Sequence, residues 1–162
     1  FRNCIAMDDA FLALLAHPKT LPLIVQLMGP NLHLITSHLI YKNPQPAGTP
    51  MTKRLPTWHR DIAGTPDDLG HAAIPRMEMK CAFYLTDLQE PFSGVTMFAP
   101  GSNLLKEKLP IADGQPDPEN AIAPRLKAGD AVFFENRTWH AREPNLTARV
   151  ENAVMFGYGH LW

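Results

Sequence analysis

The sequence predicts a mainly β protein, a sandwich or barrel of short strands with helices packed outside it. Three observations favour this class. Short apolar segments recur from residue 32 onwards, and turns that contain Gly or Pro separate them. Sixteen prolines in 162 residues disfavour an all-helical fold. Apolar residues at helical spacing are confined to residues 1–30. We therefore expect one domain over 1–162, with a helical part at 1–30 and a β core at 31–162.

Two short helices are predicted in the N-terminal part. Asp8 and Asp9 can cap a helix that runs to Leu15. Thr20 is a candidate N-cap for a second helix, and the Pro two residues later is allowed in a first turn. That helix should end before Gly29. Neither helix carries a motif that indicates chemistry.

The β core is predicted to contain six strands, at residues 32–42, 77–88, 95–99, 131–134, 138–141 and 150–157. Two loops rich in Pro and Gly, 43–56 and 62–75, flank the segment 58–61 on both sides. Long loops in a compact domain are usually lids or binding loops. Surface insertions without a function are the alternative.

Composition narrows the classes of partner. A net charge of −1 does not favour nucleic acid or a membrane surface, and the apolar runs are too short to span a bilayer. Two cysteines, Cys4 and Cys81, do not make a disulfide framework, so a reducing cytoplasm is the default expectation. We expect a small-molecule partner and a monomer or homodimer.

The segment Trp58-His59-Arg60-Asp61 carries the main chemical signal. Side chains two residues apart point the same way in an extended chain, so His59 and Asp61 can converge on one point. A second His from a distant strand would complete the two-His, one-carboxylate face that binds Fe(II) in non-haem oxygenases. His140 is the candidate. A hydrogen-bonded pair at a strand end and a packed core His are the structural alternatives.

A turn after His140 suggests a nearby cation. Pro144-Asn145 is a natural turn centre. A hairpin centred there places His140 opposite Arg149, with Cβ atoms about 5 Å apart on one face. An Arg can hold a carboxylate with two parallel hydrogen bonds, which a dicarboxylate co-substrate would need.

Several motifs, taken in order, resemble the phytanoyl-CoA dioxygenase (PhyH-like) family of Fe(II)/2-oxoglutarate oxygenases. They are Trp-His-Arg-Asp, then Tyr-Leu-Thr-Asp-Leu, then Gly-Val-Thr-Met-Phe-Ala-Pro-Gly-Ser-Asn. Lys-Ala-Gly-Asp-Ala-Val-Phe-Phe follows, and then Trp-His with an Arg nine residues later. The resemblance covers roughly residues 32–162. No single motif is specific, but their order and spacing are.

The resemblance implies a double-stranded β-helix (jelly-roll, cupin-like) core with the iron at one mouth. It implies that Fe(II) is bound by His59, Asp61 and His140, with 2-oxoglutarate and O2 as co-substrates. Arg149 would bind the distal carboxylate of 2-oxoglutarate. Thr57 is the candidate for a supporting hydroxyl, with Tyr41 behind it.

Two positions depart from the family pattern. Asn103 follows Pro-Gly-Ser, where the family often has His. Arg142 stands two residues after the second iron His, where the family often has a small polar residue. Either departure can change the substrate side or the grip on the co-substrate without removing the iron.

The sequence thus predicts a dioxygenase that oxidises a small molecule, with release of succinate and CO2. Asp61 favours hydroxylation over halogenation, because related halogenases replace the carboxylate with a small residue. A secondary metabolite is one expected class of substrate. Two alternatives stay open: a non-catalytic cupin-like module that binds Zn(II) or another metal, and an Fe(II) oxygenase that does not use 2-oxoglutarate. No motif for a serine or cysteine nucleophile is present.

Overall fold

Two antiparallel sheets form the core of the protein in a computed structural model that describes residues 1–49, 58–62 and 64–160. The strands are β1 (Leu32–Lys42), β2 (Glu78–Tyr84), β3 (Thr96–Phe98), β4 (Ala131–Glu135), β5 (His140–Arg142) and β6 (Glu151–His160). The larger sheet has the order β1-β6-β2-β4, and the smaller sheet pairs β3 with β5. Every neighbouring pair in the larger sheet joins strands that are not consecutive, as in a jelly roll and not in a meander. The prediction of a mainly β fold is confirmed.

In the described part of the chain, three α-helices accompany the sheets: α1 (Asp9–Leu15), α2 (Leu21–Met28) and α3 (Thr65–Leu69). The Asp8 side chain accepts a hydrogen bond from the backbone N–H of Ala10, so the predicted cap of α1 is confirmed. Thr20 precedes α2 but makes no capping hydrogen bond, because its hydroxyl donates to the carbonyl of His17 instead. Among the described residues, no helix is long and apolar enough to cross a membrane.

The outer face of the larger sheet packs against the N-terminal helices. Alternate side chains of β2, namely Met79, Cys81 and Phe83, form one buried cluster with Ile24 and Met28 of α2. Because side chains alternate across a strand, the other residues of β2 face the smaller sheet. These inward residues are Glu78, Lys80, Ala82 and Tyr84, and all four are buried.

The space between the sheets holds a second apolar cluster. It comprises Ala82 and Tyr84 of β2, Phe98 of β3, Phe134 of β4 and Met155 of β6, together with Leu88, Val95, Leu126 and Ala153. This cluster fills one end of the inter-sheet space. Polar inward residues such as Lys80 lie towards the other end, where the candidate functional site is found.

The predicted hairpin between β5 and β6 was wrong. β5 pairs with β3, where His140 lies opposite Phe98, whereas β6 pairs with β1 and β2. The segment between them turns away to other partners: the backbone N–H of Glu143 donates to Val95, and Asn145 bridges to Ser93. Non-local strand pairing therefore overrides the local turn signal. The predicted strand at 77–88 is also shorter, and the loop at 62–75 contains α3.

Candidate metal centre

The two histidines are placed side by side by backbone pairing. The backbone N–H of His59 donates to the carbonyl of His140 at 3.0 Å, and the reverse bond is also 3.0 Å. This isolated bridge adds His59 to the edge of the smaller sheet beside β5. The two rings lie 4.2 Å apart between centroids. Residues that are distant in sequence thus present their imidazoles at one point.

Asp61 completes a compact donor set with the two histidines. One nitrogen of each imidazole and one oxygen of Asp61 all lie within 4.8 Å of one another. Oδ2 of Asp61 is 3.6 Å from Nε2 of His140. The structure therefore brings together all three residues that the sequence suggested as iron ligands.

His140 is held in an orientation suited to binding a metal. Its side chain is buried, and Nδ1 donates to the carbonyl of Thr138 at 2.9 Å, which leaves Nε2 directed at the donor set. Burial lowers the pKa of His140 to about 4 against the opposing effect of Asp61. The imidazole is therefore neutral at pH 7, the state in which a His binds a metal.

Hydrogen bonds hold Asp61 through its backbone N–H and through one side-chain oxygen. Its backbone N–H donates to the carbonyl of Asn136 at 3.0 Å, and Asn136 is itself fully buried. Oδ1 accepts from Nζ of Lys80 at 2.8 Å. Oδ2 is buried and has no hydrogen-bond partner within the described ranges. A buried carboxylate oxygen without a partner is costly, and a divalent cation on this oxygen and the two imidazoles would satisfy it. The residues present therefore fit a metal ion.

Arg60 is buried, although it lies between the two candidate ligands His59 and Asp61. It is 6% exposed and points to the opposite side of the chain from His59 and Asp61. Its guanidinium donates to the carbonyls of Ser102 at 2.7 Å and Leu105 at 2.9 Å, and it lies 5.4 Å from the centre of the Trp139 ring. A further contact at 3.2 Å joins it to Nδ1 of His71. Arg60 thus ties the His-x-Asp segment to two surrounding loops and to the neighbour of His140.

Of the residues suggested for 2-oxoglutarate, Arg149 and Tyr41 lie in the described ranges, and both have exposed side chains. The Arg149 side chain is 56% exposed and forms an ion pair with Glu90, which is 60% exposed. Tyr41 is also 56% exposed and shares its strand face with Leu39, which packs against the outer cluster. Thr57 lies outside the described residues.

Sequence reasoning missed the charged residues that face inward. Lys80 lies inside a predicted strand. A charged residue that alternates with apolar residues is equally typical of a strand whose polar face is exposed to solvent. Lys42 and Glu151 form a second buried ion pair at 2.6 Å, with side chains 9% and 1% exposed. They lie opposite each other in the β1–β6 register. The alternation of Glu78 and Lys80 with apolar residues in β2 was the available signal.

Asn103, one of the departures from the family pattern, contacts a charged group near the end of β4. Its Nδ2 donates to Oε1 of Glu135 at 2.7 Å, and Glu135 is also paired with Arg137 at 2.8 Å. Asn103 thereby anchors the turn at Ser102–Leu104, in which the carbonyl of Ser102 accepts a hydrogen bond from Arg60. The residue has a structural role that an asparagine can fill.

Comparison with known proteins identifies relatives of the same kind. A dioxygenase of Aspergillus fumigatus, Dioxygenase af480, is 33% identical over 67 residues, which make up 41% of this chain and 21% of that protein. The carbocyclase SnoK from nogalamycin biosynthesis, a non-haem enzyme dependent on α-ketoglutarate, superposes with a TM-score of 0.66. It is 26% identical, over 91% of this chain and 57% of SnoK.

The epimerase SnoN, solved with Fe3+, α-ketoglutarate and nogalamycin RO, superposes with a TM-score of 0.70 at 22% identity. The match covers 99% of this chain and 62% of SnoN. The chain therefore spans about a fifth of the fungal relative and about three fifths of these two structures. These superpositions confirm the jelly-roll fold. The model of the phytanoyl-CoA dioxygenase (PhyH) family matches residues 2–152, and the chain belongs to this family.

Proposed function

We propose that this protein is a non-haem Fe(II)/2-oxoglutarate-dependent dioxygenase that oxidises a small molecule. The observation that carries the proposal is the convergence of His59, Asp61 and His140 within 4.8 Å, with one buried Asp61 oxygen left unpartnered. Two imidazoles and a carboxylate on one side of a metal leave other positions open for co-substrates. Membership of the PhyH family supports the same function.

Each residue has a defined part in the proposed reaction. Iron(II), when bound together with 2-oxoglutarate and O2, supplies the oxidising chemistry that converts 2-oxoglutarate to succinate and CO2. His140 presents Nε2 because Thr138 holds Nδ1. Lys80 holds one Asp61 oxygen, so the other oxygen is left for the metal. Phe98 and Phe134 lie against the His140 ring and exclude water from that side.

The proposed substrate is a small molecule of secondary metabolism. SnoK and SnoN belong to nogalamycin biosynthesis, where they are a carbocyclase and an epimerase. Related folds therefore support more than one outcome of the same oxidising chemistry. Hydroxylation is the outcome that we propose for this chain, because it retains the carboxylate ligand Asp61.

The test is succinate formation from 2-oxoglutarate. Protein loaded anaerobically with Fe(II) is exposed to O2, and succinate is quantified with and without a panel of small hydroxylatable compounds. We expect iron-dependent succinate from the wild type and its loss in Asp61→Asn, which keeps the side-chain shape but removes the anionic ligand. Asp113→Asn is the matched control, because Asp113 is exposed.

Two results would contradict the proposal. One is tight Zn(II) binding with no iron-dependent turnover of 2-oxoglutarate under any condition, which would favour the metal-binding module. The other is oxidation of a substrate that proceeds equally well without 2-oxoglutarate, which would favour an oxygenase of a different class.

A further inference from the structure

The smaller sheet has two faces, and the candidate metal centre lies on the inner one. Phe98 and His140 lie opposite each other and point inward, where their rings are 6.5 Å apart. Because side chains alternate along a strand, the residues next to them point outward. On that outer face they belong to a third apolar cluster, made of Trp58, Met97, Ala99 and Ala141. Leu109 and Ile111, from the long segment that follows β3, pack against this cluster.

The same segment encloses a cavity of about 1260 Å³ between residues 100–105 and residues 109–120. This volume is above the range of roughly 300–1,000 Å³ that is usual for small-molecule sites, so it can hold a ligand of several rings. Proline fixes the φ angle of the backbone, so proline-rich walls are stiff before a ligand arrives. The apolar part of the lining consists mainly of Leu105, Leu109, Pro110, Ile111, Pro116 and Pro118.

The charged residues in the lining of this cavity are both acidic. They are Asp117 and Glu119, and among the described residues no Lys, Arg or His belongs to the lining. Lys106 and Lys108 lie in the same segment but outside the lining. Lys108 acts on His71, whose pKa is lowered by burial and then by the charges of Arg60 and Lys108. The cavity therefore combines apolar walls with a negative potential.

Side-chain hydrogen bonds hold the polar part of the cavity in place. Oδ1 of Asp117 accepts a hydrogen bond from Nε1 of Trp58 at 3.1 Å. Nδ2 of Asn120 donates to the carbonyl of Pro100 at 3.0 Å, which joins the two ends of the lining segment. A site that is formed before the ligand binds loses little free energy to ordering.

We propose that this cavity binds an apolar small molecule that carries a positive charge, of the class of aromatic or alicyclic amines. The ammonium group lies against Asp117 and Glu119, and the rings or chain lie against the apolar walls. The same two carboxylates repel an anion, so the cavity is not a second site for a 2-oxo acid. Because the metal centre is on the other face of the smaller sheet, this ligand is distinct from the molecule that is oxidised.

The test compares three probes that share one apolar part, namely phenylbutylamine, phenylbutanol and phenylpentanoate. Each is titrated into the protein labelled with nitrogen-15, with and without Zn(II), and binding is followed by nuclear magnetic resonance. The indole N–H of Trp58 is the reporter, because it donates to Asp117. We expect the amine to bind about fivefold more tightly than the alcohol, as for a partly screened ion pair. The acid should bind most weakly.

Four variants make the result specific. Asp117→Asn keeps an acceptor for Trp58 and should reduce the preference for the amine to about twofold. Glu119→Gln should have a smaller effect, because Glu119 is exposed. Asp113→Asn removes one charge from an exposed residue of the same segment outside the lining and is the matched control. Ala112→Phe places a ring in the cavity at an exposed lining position and should weaken all three probes.

Several outcomes would overturn the inference. Equal binding of the amine and the alcohol, or no binding of any probe, would mean that the cavity does not select a cation. Amine binding that Ala112→Phe leaves unchanged would lie elsewhere on the protein. Amine binding that requires Zn(II) would take place at the metal centre. None of these outcomes bears on the proposed function, which depends on the inner face of the smaller sheet.

Discussion

Nζ of Lys80 lies 2.8 Å from Oδ1 of Asp61, and both side chains are nearly buried, at 11% and 12% exposure. Lys80 comes from the larger sheet, and Asp61 from the segment that pairs with the smaller sheet. The contact therefore joins the two layers at the candidate metal centre. It also fixes which Asp61 oxygen is available to a metal.

Lys80→Met should lower the stability of the metal-free protein. The substitution leaves the Asp61 carboxylate buried without its cation, and breaking a buried pair in this way costs about 3 kcal/mol. A bound divalent metal supplies the missing positive charge. We therefore expect Mn(II) to raise the melting temperature more in Lys80→Met than in the wild type, measured by calorimetry. Lys127→Met, at an exposed position, is the control. An equal metal-induced shift in Lys80→Met and wild type would contradict this account.

Arg60→Met should weaken metal binding although Arg60 contacts no ligand atom. Its contacts with Ser102, Leu105 and Trp139 fix the direction of the His59–Asp61 segment. Loss of a residue that orients metal ligands typically costs about tenfold or more in affinity. Arg60→Lys should fail to restore it, because an ammonium group cannot reach both carbonyls and stack on Trp139.

A Mn(II) titration followed by electron paramagnetic resonance measures this affinity. Arg76→Met removes the same charge at an exposed position and should bind Mn(II) like the wild type. An unchanged affinity in Arg60→Met would show that the segment is held without this side chain.

Glu151→Gln should destabilise the fold far more than Glu90→Gln. The first substitution leaves the buried Lys42 cation without its partner and should lower the free energy of unfolding by about 3 kcal/mol. The second breaks the solvent-exposed pair with Arg149, and such pairs contribute about 0–1 kcal/mol. Urea unfolding followed by circular dichroism compares the two variants. Similar losses in both would mean that Lys42 reaches water or another partner once Glu151 is neutral.

The two cysteines should resist labelling in the native state. Cys81 and Cys4 are both fully buried, and burial raises the pKa of the Cys81 thiol to about 12. Only the thiolate reacts, so at pH 8 we expect labelling by a thiol reagent to require unfolding. The rate should rise with added urea in parallel with the loss of structure. Rapid labelling of either thiol without denaturant would contradict the packing of the helices on the outer sheet face.

The features that were predictable from the sequence rest on local physics. Alternation identified β1 with its observed bounds, and the Asp8 side chain marked the start of α1. The period-2 argument brought His59 and Asp61 to one point, and the order of motifs supplied His140. The bounds of β1, the start of α1 and the convergence of His59 with Asp61 depend on residues close in sequence. For the second histidine ligand, the order of motifs reduced the candidates to one.

The features that were missed depend on non-local pairing. Pro144-Asn145 forms a local turn signal, but β6 pairs with β1 and β2, so Arg149 does not lie opposite His140. Arg60 is buried because Ser102 and Leu105 approach it from another part of the chain. Lys80 is charged yet nearly buried because it forms an ion pair with Asp61, which comes from a distant segment of the chain. The partners of β6, Arg60 and Lys80 are distant in sequence, and the neighbouring residue types do not identify them.

The most direct test of the central claim is an anaerobic titration of the protein with Fe(II) and 2-oxoglutarate, followed by visible absorption. Chelation of 2-oxoglutarate to Fe(II) gives a charge-transfer band, which requires neither O2 nor the true substrate. We predict one iron per chain and a saturable band in the wild type, with both lost in His140→Ala. A wild-type protein that binds iron without this band, or a His140→Ala protein that keeps it, would contradict the proposed site.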